Sequence, residues 1–283
     1  MKTKNKNLTQ IHLAVFLFGI AGLFGKLILL PPMIIVLGRV FFSSVFLLAI
    51  MFFLKKDIVL KQKKDYYYLA IMGLILAIHW SAFFKSIQVS TVAIGLLIFS
   101  TFPVFVTFLE PYFFKEKIVK RDIVIAIITL IGVALVVPKF QLGDNLTEGV
   151  LWGILSSFTY AILSMLNRKY VKEYSSVVIA FYEQFVATLV LIPFLFLLKP
   201  IFKPMDILLL ILLGVVFTAI SHSLFINGLK TVKTQTAGII SSLEPVYGII
   251  FALIIIGEVP TQREILGGII ILGAALYSSI KSQ

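Results

Sequence analysis

The stretch Ser241–Ile250, SSLEPVYGII, places a glutamate and a proline inside an apolar run. It has a counterpart upstream. FSTFPVFVTFLEPYFFKEKIVKRD (99–122) aligns with SSLEPVYGIIFALIIIGEVPTQRE (241–264) at a shift of 142, setting Pro103 on Pro245, Val104 on Val246 and Glu116 on Glu258. Further on, LIGVAL (130–135) resembles ILGAAL (271–276), with the shift reduced to 141. HWSAFFKSI (79–87) falls near SHSLFINGL (221–229). A proline, an acid at a helix end and a glycine-containing final helix recur in order, which a chance match does not produce.

The solvent around this repeat is read from composition. The chain has 283 residues, 60% of them hydrophobic and 13% charged, and a mean hydropathy of +1.06. Soluble domains carry about 25% charged residues, so lipid is the indicated solvent. Ten apolar spans are expected, at 8–28, 33–54, 66–86, 91–113, 121–138, 147–167, 176–198, 205–226, 235–256 and 262–280. Each can cross a hydrocarbon layer about 30 Å thick. Runs such as VIAIITLIGVALVV do not alternate as barrel strands do, so the spans read as helices. The connections are short and leave no place for a soluble domain.

The net charge of +12 would suit nucleic acid, but its placement argues against that. With the N-terminus inside, 18 Lys and Arg fall on the inner side and 6 on the outer, with Arg39 within a span. This is the positive-inside asymmetry, and it makes both termini cytoplasmic. The first apolar stretch is about twenty residues long and leads straight into a second, so it reads as a span and not as a cleaved signal. Without cysteine there is neither a disulfide framework nor a thiolate metal site.

The repeat spacing implies five spans per half, 1–140 and 141–283. Five is odd, so the second copy enters the membrane from the opposite side. The expected fold is all-α integral membrane, ten transmembrane helices in a 5+5 inverted-topology repeat. Such repeats typify secondary transporters, with sites near the midplane at the repeat interface. FFKSIQVSTVAIG, PVF…FFKEKI, SSLEPVYG…IIIGE and GGIIILGAAL together resemble the drug/metabolite transporter superfamily, in its EamA branch. That resemblance spans nearly the whole chain. It implies two EamA-like five-helix repeats, a central cavity and movement of small metabolites, often amino acids or their derivatives.

Ionisable residues within the spans are the candidate site. Glu244 lies about 14 Å into its span, near the midplane. An unpartnered carboxylate there costs at least ~2.5–3.5 kcal/mol, so Glu244 should face a cavity or a partner, or be protonated. Pro245 supplies no N–H and leaves the Ser241 carbonyl without its usual donor, so a kinked helix segment lining the cavity is expected there and at Pro103. Freed backbone at that depth is tolerated in protein or beside a polar cavity. Pro103 is the repeat mate of Pro245; Glu110 follows it and suits an interfacial carboxylate near Lys115 and Lys117. The bland alternative is that Glu244 bonds a neighbouring helix and fixes packing.

Arg39 is permanently charged and suited to a carboxylate. Glu183 holds the matching place in the second half, but inversion puts the two roughly 10 Å apart along the membrane normal. A direct bridge between them is therefore not expected. His79 and His222, in related spans, can titrate near neutrality or act as helix–helix hydrogen bonders. Two histidines are too few for a metal site. Trp80, Phe84, Tyr160 and Tyr182 are candidate aromatic walls or ordinary packing residues. Lys85 and Lys26 lie near outer span ends, where snorkelling accounts for both; Lys85 gains weight from lying one and a half turns beyond His79. Gly19, Gly22 and Gly25 allow close helix approach. GIAGLFGKL fails as a phosphate-binding loop on spacing and on Leu27, and neither H-E-x-x-H nor G-x-S-x-G occurs.

The expectation is a secondary transporter in the inner membrane, moving a small polar or amphiphilic metabolite by alternating access, with protons as a candidate co-substrate and no cofactor. Glu244, His79 and Arg39 form its expected polar centre, with export slightly favoured on resemblance. The alternative is a membrane-embedded enzyme or a lipid-translocation partner without carrier activity.

Overall fold

The computed structural model describes residues 2–114, 120–136, 141 and 143–281. Glu116, the expected mate of Glu258, lies outside them with Lys115, Lys117 and Lys139, as does the Glu110 side chain. Among the described residues all regular structure is helical. In the first half, α1 (Lys2–Leu27), α2 (Pro32–Phe53) and α3 (Lys63–Val89) are long, followed by α4 (Val92–Phe99), α5 (Phe102–Phe114) and α6 (Lys120–Val136). The second half has α7 (Asn145–Tyr170), α8 (Ser176–Leu198), α9 (Pro204–Gly214), a π-helical turn (Val215–Ile220), α10 (Ser221–Gly228), α11 (Thr234–Ser241), α12 (Glu244–Ile256) and α13 (Gln262–Lys281).

Local chemistry sets these ends. Pro32 and Pro204 open α2 and α9, where a missing N–H costs nothing. The Thr91 and Ser175 side chains accept from the Ile94 and Val178 amides at the starts of α4 and α8. Gly257, at φ +69°, ends α12 in the left-handed conformation.

Among the described residues seven stretches are long and apolar enough to cross a membrane: Asn5–Leu27, Pro32–Phe53, Lys63–Val89, Val92–Phe113, Asn145–Tyr170, Ser176–Leu198 and Pro204–Gly228. Three expected spans differ. Within 121–138 the apolar helix is the shorter Ile123–Val136. The stretch 235–256 is divided between α11 and α12, and 262–280 falls on α13, which has polar ends.

The division corrects the kink expected at Pro245. The helix does not bend through the proline; it stops and restarts, with Glu244 and Pro245 as the first two residues of α12. Pro103 is likewise the second residue of α5, after a break at Ser100–Thr101. A proline fits the first turn of a helix and clashes in its interior. Hydroxyls take up carbonyls at the breaks: Ser100 donates to Leu96 O (2.9 Å), Thr101 to Ile98 O (2.8 Å) and Ser242 to Gly238 O (3.1 Å). Such side-chain bonds let irregular backbone persist away from water. The two interruptions meet, because a Cβ on Gly238 would stand 3.2 Å from the Pro103 ring.

Helices of the two halves interleave. α3 packs on α7 and α8, α2 on α8 and α9, α1 on α10 and α12, and α6 on α13. Glycine permits a close approach at Gly19, where a Cβ would stand 2.8 Å from the Glu244 carbonyl oxygen. α1 therefore passes directly against the α11–α12 break.

The surface is apolar and the interior partly ionic. Phe52, Leu29 and Ile201 are 82%, 84% and 87% exposed, whereas Arg39, Glu183 and His222 are at most 2% exposed. Water would reverse that distribution; lipid requires it. The chain is a multi-pass membrane protein.

Candidate functional site

A small cavity lies where α1, α2, α3, α4, α7, α10 and α12 converge. It is lined by Phe18, Ala21, Arg39, His79, Trp80, Phe83, Phe99, Tyr160, His222 and Glu244. Its volume, about 30 Å3 measured to water centres, suits one or two waters.

Arg39 is held by three neighbours. Its guanidinium stands 3.8 Å from the Trp80 ring centre and 5.3 Å from that of Phe84, and its Nε donates to Thr218 Oγ1 at 2.9 Å. Thr218 sits in the π turn, and its own hydroxyl donates to Leu213 O, five residues back (2.7 Å). Wide turns of this kind recur at functional sites. Gly214 precedes that turn, and a Cβ there would come within 2.8 Å of the Arg39 carbonyl oxygen.

His222 Nε2 bonds Glu183 Oε2 at 2.6 Å, with both side chains buried. His222 also stands edge-on to Trp80, ring centres 5.5 Å apart. Arg39, Trp80, His222 and Glu183 thus form one chain of contacts. Arg39 and Glu183 make no direct ion pair; each is engaged elsewhere. Glu183 Oε1 and His222 Nδ1 remain without hydrogen bonds among the described residues.

His79 Nδ1 lies 2.9 Å from the Ser156 carbonyl and 3.0 Å from the Ser156 hydroxyl. A proton donated from Nδ1 to the carbonyl leaves Nε2 as an acceptor. The ring stacks on Tyr160, centres 4.8 Å apart. Glu244, 4% exposed, opens α12 beside this group. No hydrogen bond or ion pair among the described residues reaches its carboxyl; Arg39 is its electrostatic neighbour across the cavity.

The structure therefore gathers Glu244, Arg39, His79, Trp80, Tyr160 and His222 around one space, with Glu183 behind His222. Phe84 backs Arg39 without lining the cavity. Pro103 and Pro245 start helices next to it. Three sequence candidates fall elsewhere. Lys85 Nζ is 3.1 Å from Glu148 on α7, an ion pair that takes its charge away from the cavity. The Tyr182 hydroxyl donates to Ile58 O (2.7 Å), which removes that ring from the cavity walls. Lys26 does not snorkel freely; its Nζ donates to the Ser90 and Gln88 carbonyls (2.7 and 3.3 Å) at the end of α3.

Thr218, Ser156, Phe18, Phe83 and Phe99 escape sequence reasoning. The hydroxyls sit in apolar runs as unremarkable small residues, and the phenylalanines are a few among 26. A further polar row runs along α7 from the cavity: Tyr160 and Ser164, whose hydroxyls interact with one another, and Asn167, whose Oδ1 is buried without a hydrogen bond among the described residues. Among the described residues no cluster of three His, Asp or Glu could hold a metal.

Comparison with known proteins places this arrangement in a family. The model of the EamA-like transporter family matches residues 7–137 and again 147–280. An uncharacterized transporter of Archaeoglobus fulgidus is 29% identical over 198 residues, 70% of this chain and 71% of that protein. An uncharacterized transporter of Bacillus subtilis (strain 168) is 25% identical over 215 residues, 75% and 69% of the two chains. The S-adenosylmethionine uptake transporter of Rickettsia bellii is 25% identical over 209 residues, 73% and 69%. A crystal structure with 16% sequence identity superposes with a TM-score of 0.71, covering 98% of this chain and 97% of the other, which shows a shared fold. With both halves matched by one model and relatives named as transporters, not enzymes, the chain belongs to the EamA-like transporter family, within the drug/metabolite transporter superfamily.

Proposed function

We propose that this protein is a secondary transporter of a small metabolite carrying both an anionic and a cationic group, an amino acid or a derivative. The observation that carries this reading is the relation of Arg39 to Glu244. A buried guanidinium and a buried carboxyl group line one cavity without pairing. Unpaired buried ionisable groups are expensive, so a ligand that brings an anionic group to the first and a cationic group to the second is favoured. Trp80, Phe99 and Tyr160 supply apolar faces for the rest of the ligand. The relatives named as S-adenosylmethionine uptake transporters support the class, since that molecule joins an amino-acid head to a sulfonium.

The 30 Å3 cavity does not hold an amino acid, so loading the site calls for a wider conformation. The hypothesised cycle is alternating access: two five-helix halves of opposite topology, ten crossings in all, rock about the site. The two family-model matches and the paired breaks before Pro103 and Pro245 support such a repeat. The buried polar row Tyr160, Ser164, Asn167 supports a route that hydrates when one side opens. Charge asymmetry supports both termini on the cytoplasmic side of the inner membrane. The Glu183–His222 pair is the candidate carrier of a coupled proton.

The test is counterflow in proteoliposomes with a panel of zwitterionic, anionic and cationic metabolites. Saturable flux of a zwitterion, lost in Arg39→Gln and Glu244→Gln, is expected. Flux restricted to uncharged solutes, or unchanged in both variants, overturns the reading.

A further inference from the structure

A second pocket, about 440 Å3 and remote from the central cavity, opens at the end of the bundle where α3 begins and α7 finishes. Five cations, Lys61, Lys64, Arg168, Lys169 and Lys172, line it against two acids, Asp65 and Glu173. Both acids are already engaged. Asp65 accepts the Tyr174 hydroxyl, and Glu173 lies 3.6 Å from Lys61. The lining keeps a positive excess.

The pocket is also held in shape. The Lys61 amide donates to the Tyr174 hydroxyl (3.0 Å), the Leu60 amide to that of Tyr66 (3.0 Å), and the Tyr182 hydroxyl donates to Ile58 O (2.7 Å). Three phenols on three segments thus fix the α2–α3 loop. Burial, and then the bonded Asp65, raise the Tyr174 pKa above its ordinary value, which keeps the phenol a donor. Lys169 Nζ lies 5.8 Å and 5.6 Å from the Tyr68 and Tyr170 ring centres, within cation–π range.

Position decides the ligand. Tyr66, Tyr67 and Tyr68, 40%, 67% and 41% exposed, form a row at the start of α3. Exposed tyrosines at a span end mark the level of lipid headgroups. Basic pockets between helices at that level suit phosphate-bearing headgroups, and Arg with several Lys supplies the donors. We infer that this pocket binds the phosphate group of an anionic phospholipid.

The test uses the full chain in uncharged detergent, supplied with phosphatidylglycerol, phosphatidylcholine or inorganic phosphate. Bound lipid is read by native mass spectrometry and the thermal midpoint is followed. Phosphatidylglycerol should be retained over phosphatidylcholine and should raise the midpoint. The double variant Lys169→Gln/Lys172→Gln should weaken that retention about fivefold per charge removed. Lys230→Gln/Lys233→Gln, on the α10–α11 turn outside the pocket, should keep it. Equal retention of the two lipids by the wild type, or equal losses in both double variants, overturns the site. Inorganic phosphate that reproduces the whole effect overturns the lipid as its source.

Discussion

The Arg39 guanidinium lies 3.8 Å from the centre of the Trp80 ring, and the far side of this contact leads through His222 to Glu183. A cation stacked on indole keeps its charge while losing water, so it retains the capacity to attract an anion from the cavity. Glu244, across the same space, is free to take a cation.

Glu244→Gln removes a buried unpaired carboxylate and keeps its shape. Zwitterion flux should fall about tenfold or more, the scale of losing one buried ionic contact. The thermal midpoint should stay level or rise, because an unpartnered carboxyl group has left the interior. Flux assays and unfolding curves on one preparation check both outcomes, and a variant with wild-type flux removes Glu244 from the mechanism.

The buried Glu183–His222 bond should behave as a unit. Either Glu183→Ala or His222→Ala leaves the other group stranded and should cost about 3 kcal/mol. The double variant should cost less than the sum, a coupling of about 1.5–3 kcal/mol for a hydrogen bond involving a charged group. Additive losses would show that the two side chains do not sense one another.

Gly214→Ala tests the seat of Arg39. The added methyl would meet the Arg39 carbonyl oxygen and Phe42 Cβ at 2.8 Å, so α9 must move off α2. A loss of about 1–3 kcal/mol is expected from overpacking, together with weaker substrate binding. Gly273→Ala, with open space around the same position, should change neither.

Cysteine labelling tests the route, and the chain has no native cysteine to interfere. Ala21→Cys and Ser164→Cys should react with a water-soluble maleimide during turnover and be protected by bound substrate. Leu151→Cys, on a face 46% exposed to lipid, should stay unlabelled. Labelling at Leu151 with protection of the other two throughout turnover would refute a hydrated path along α7.

Much of the site was legible because charge is conspicuous in an apolar chain. Arg39, His79, Glu183, His222 and Glu244 could be picked out one by one, and the mismatch in depth between Arg39 and Glu183 argued against a direct bridge. Their partners could not be read, since contacts between helices depend on rotation and register. Thr218 meets Arg39 through a π turn that VVFTAI does not advertise. Lys85 looked close to His79 along one helix, yet Glu148 on another helix claims it. Pro245 is compatible with a kink or a first turn, and the structure has a restart, with the Ser242 hydroxyl bonded to Gly238 O at the break.

The π turn has one more effect. It accommodates an additional residue per turn between α9 and α10. Deleting one residue from Val215–Ile220 would close the wide turn to α geometry without turning the helix beyond it, because a wide turn absorbs its extra residue in place. His222 would keep its phase towards Glu183, but the Thr218 bond to Leu213 O, five residues back, would be lost, and with it the hydroxyl's hold on Arg39. A single codon's worth of length in a greasy segment therefore sets the seat of the guanidinium while leaving the histidine where it is.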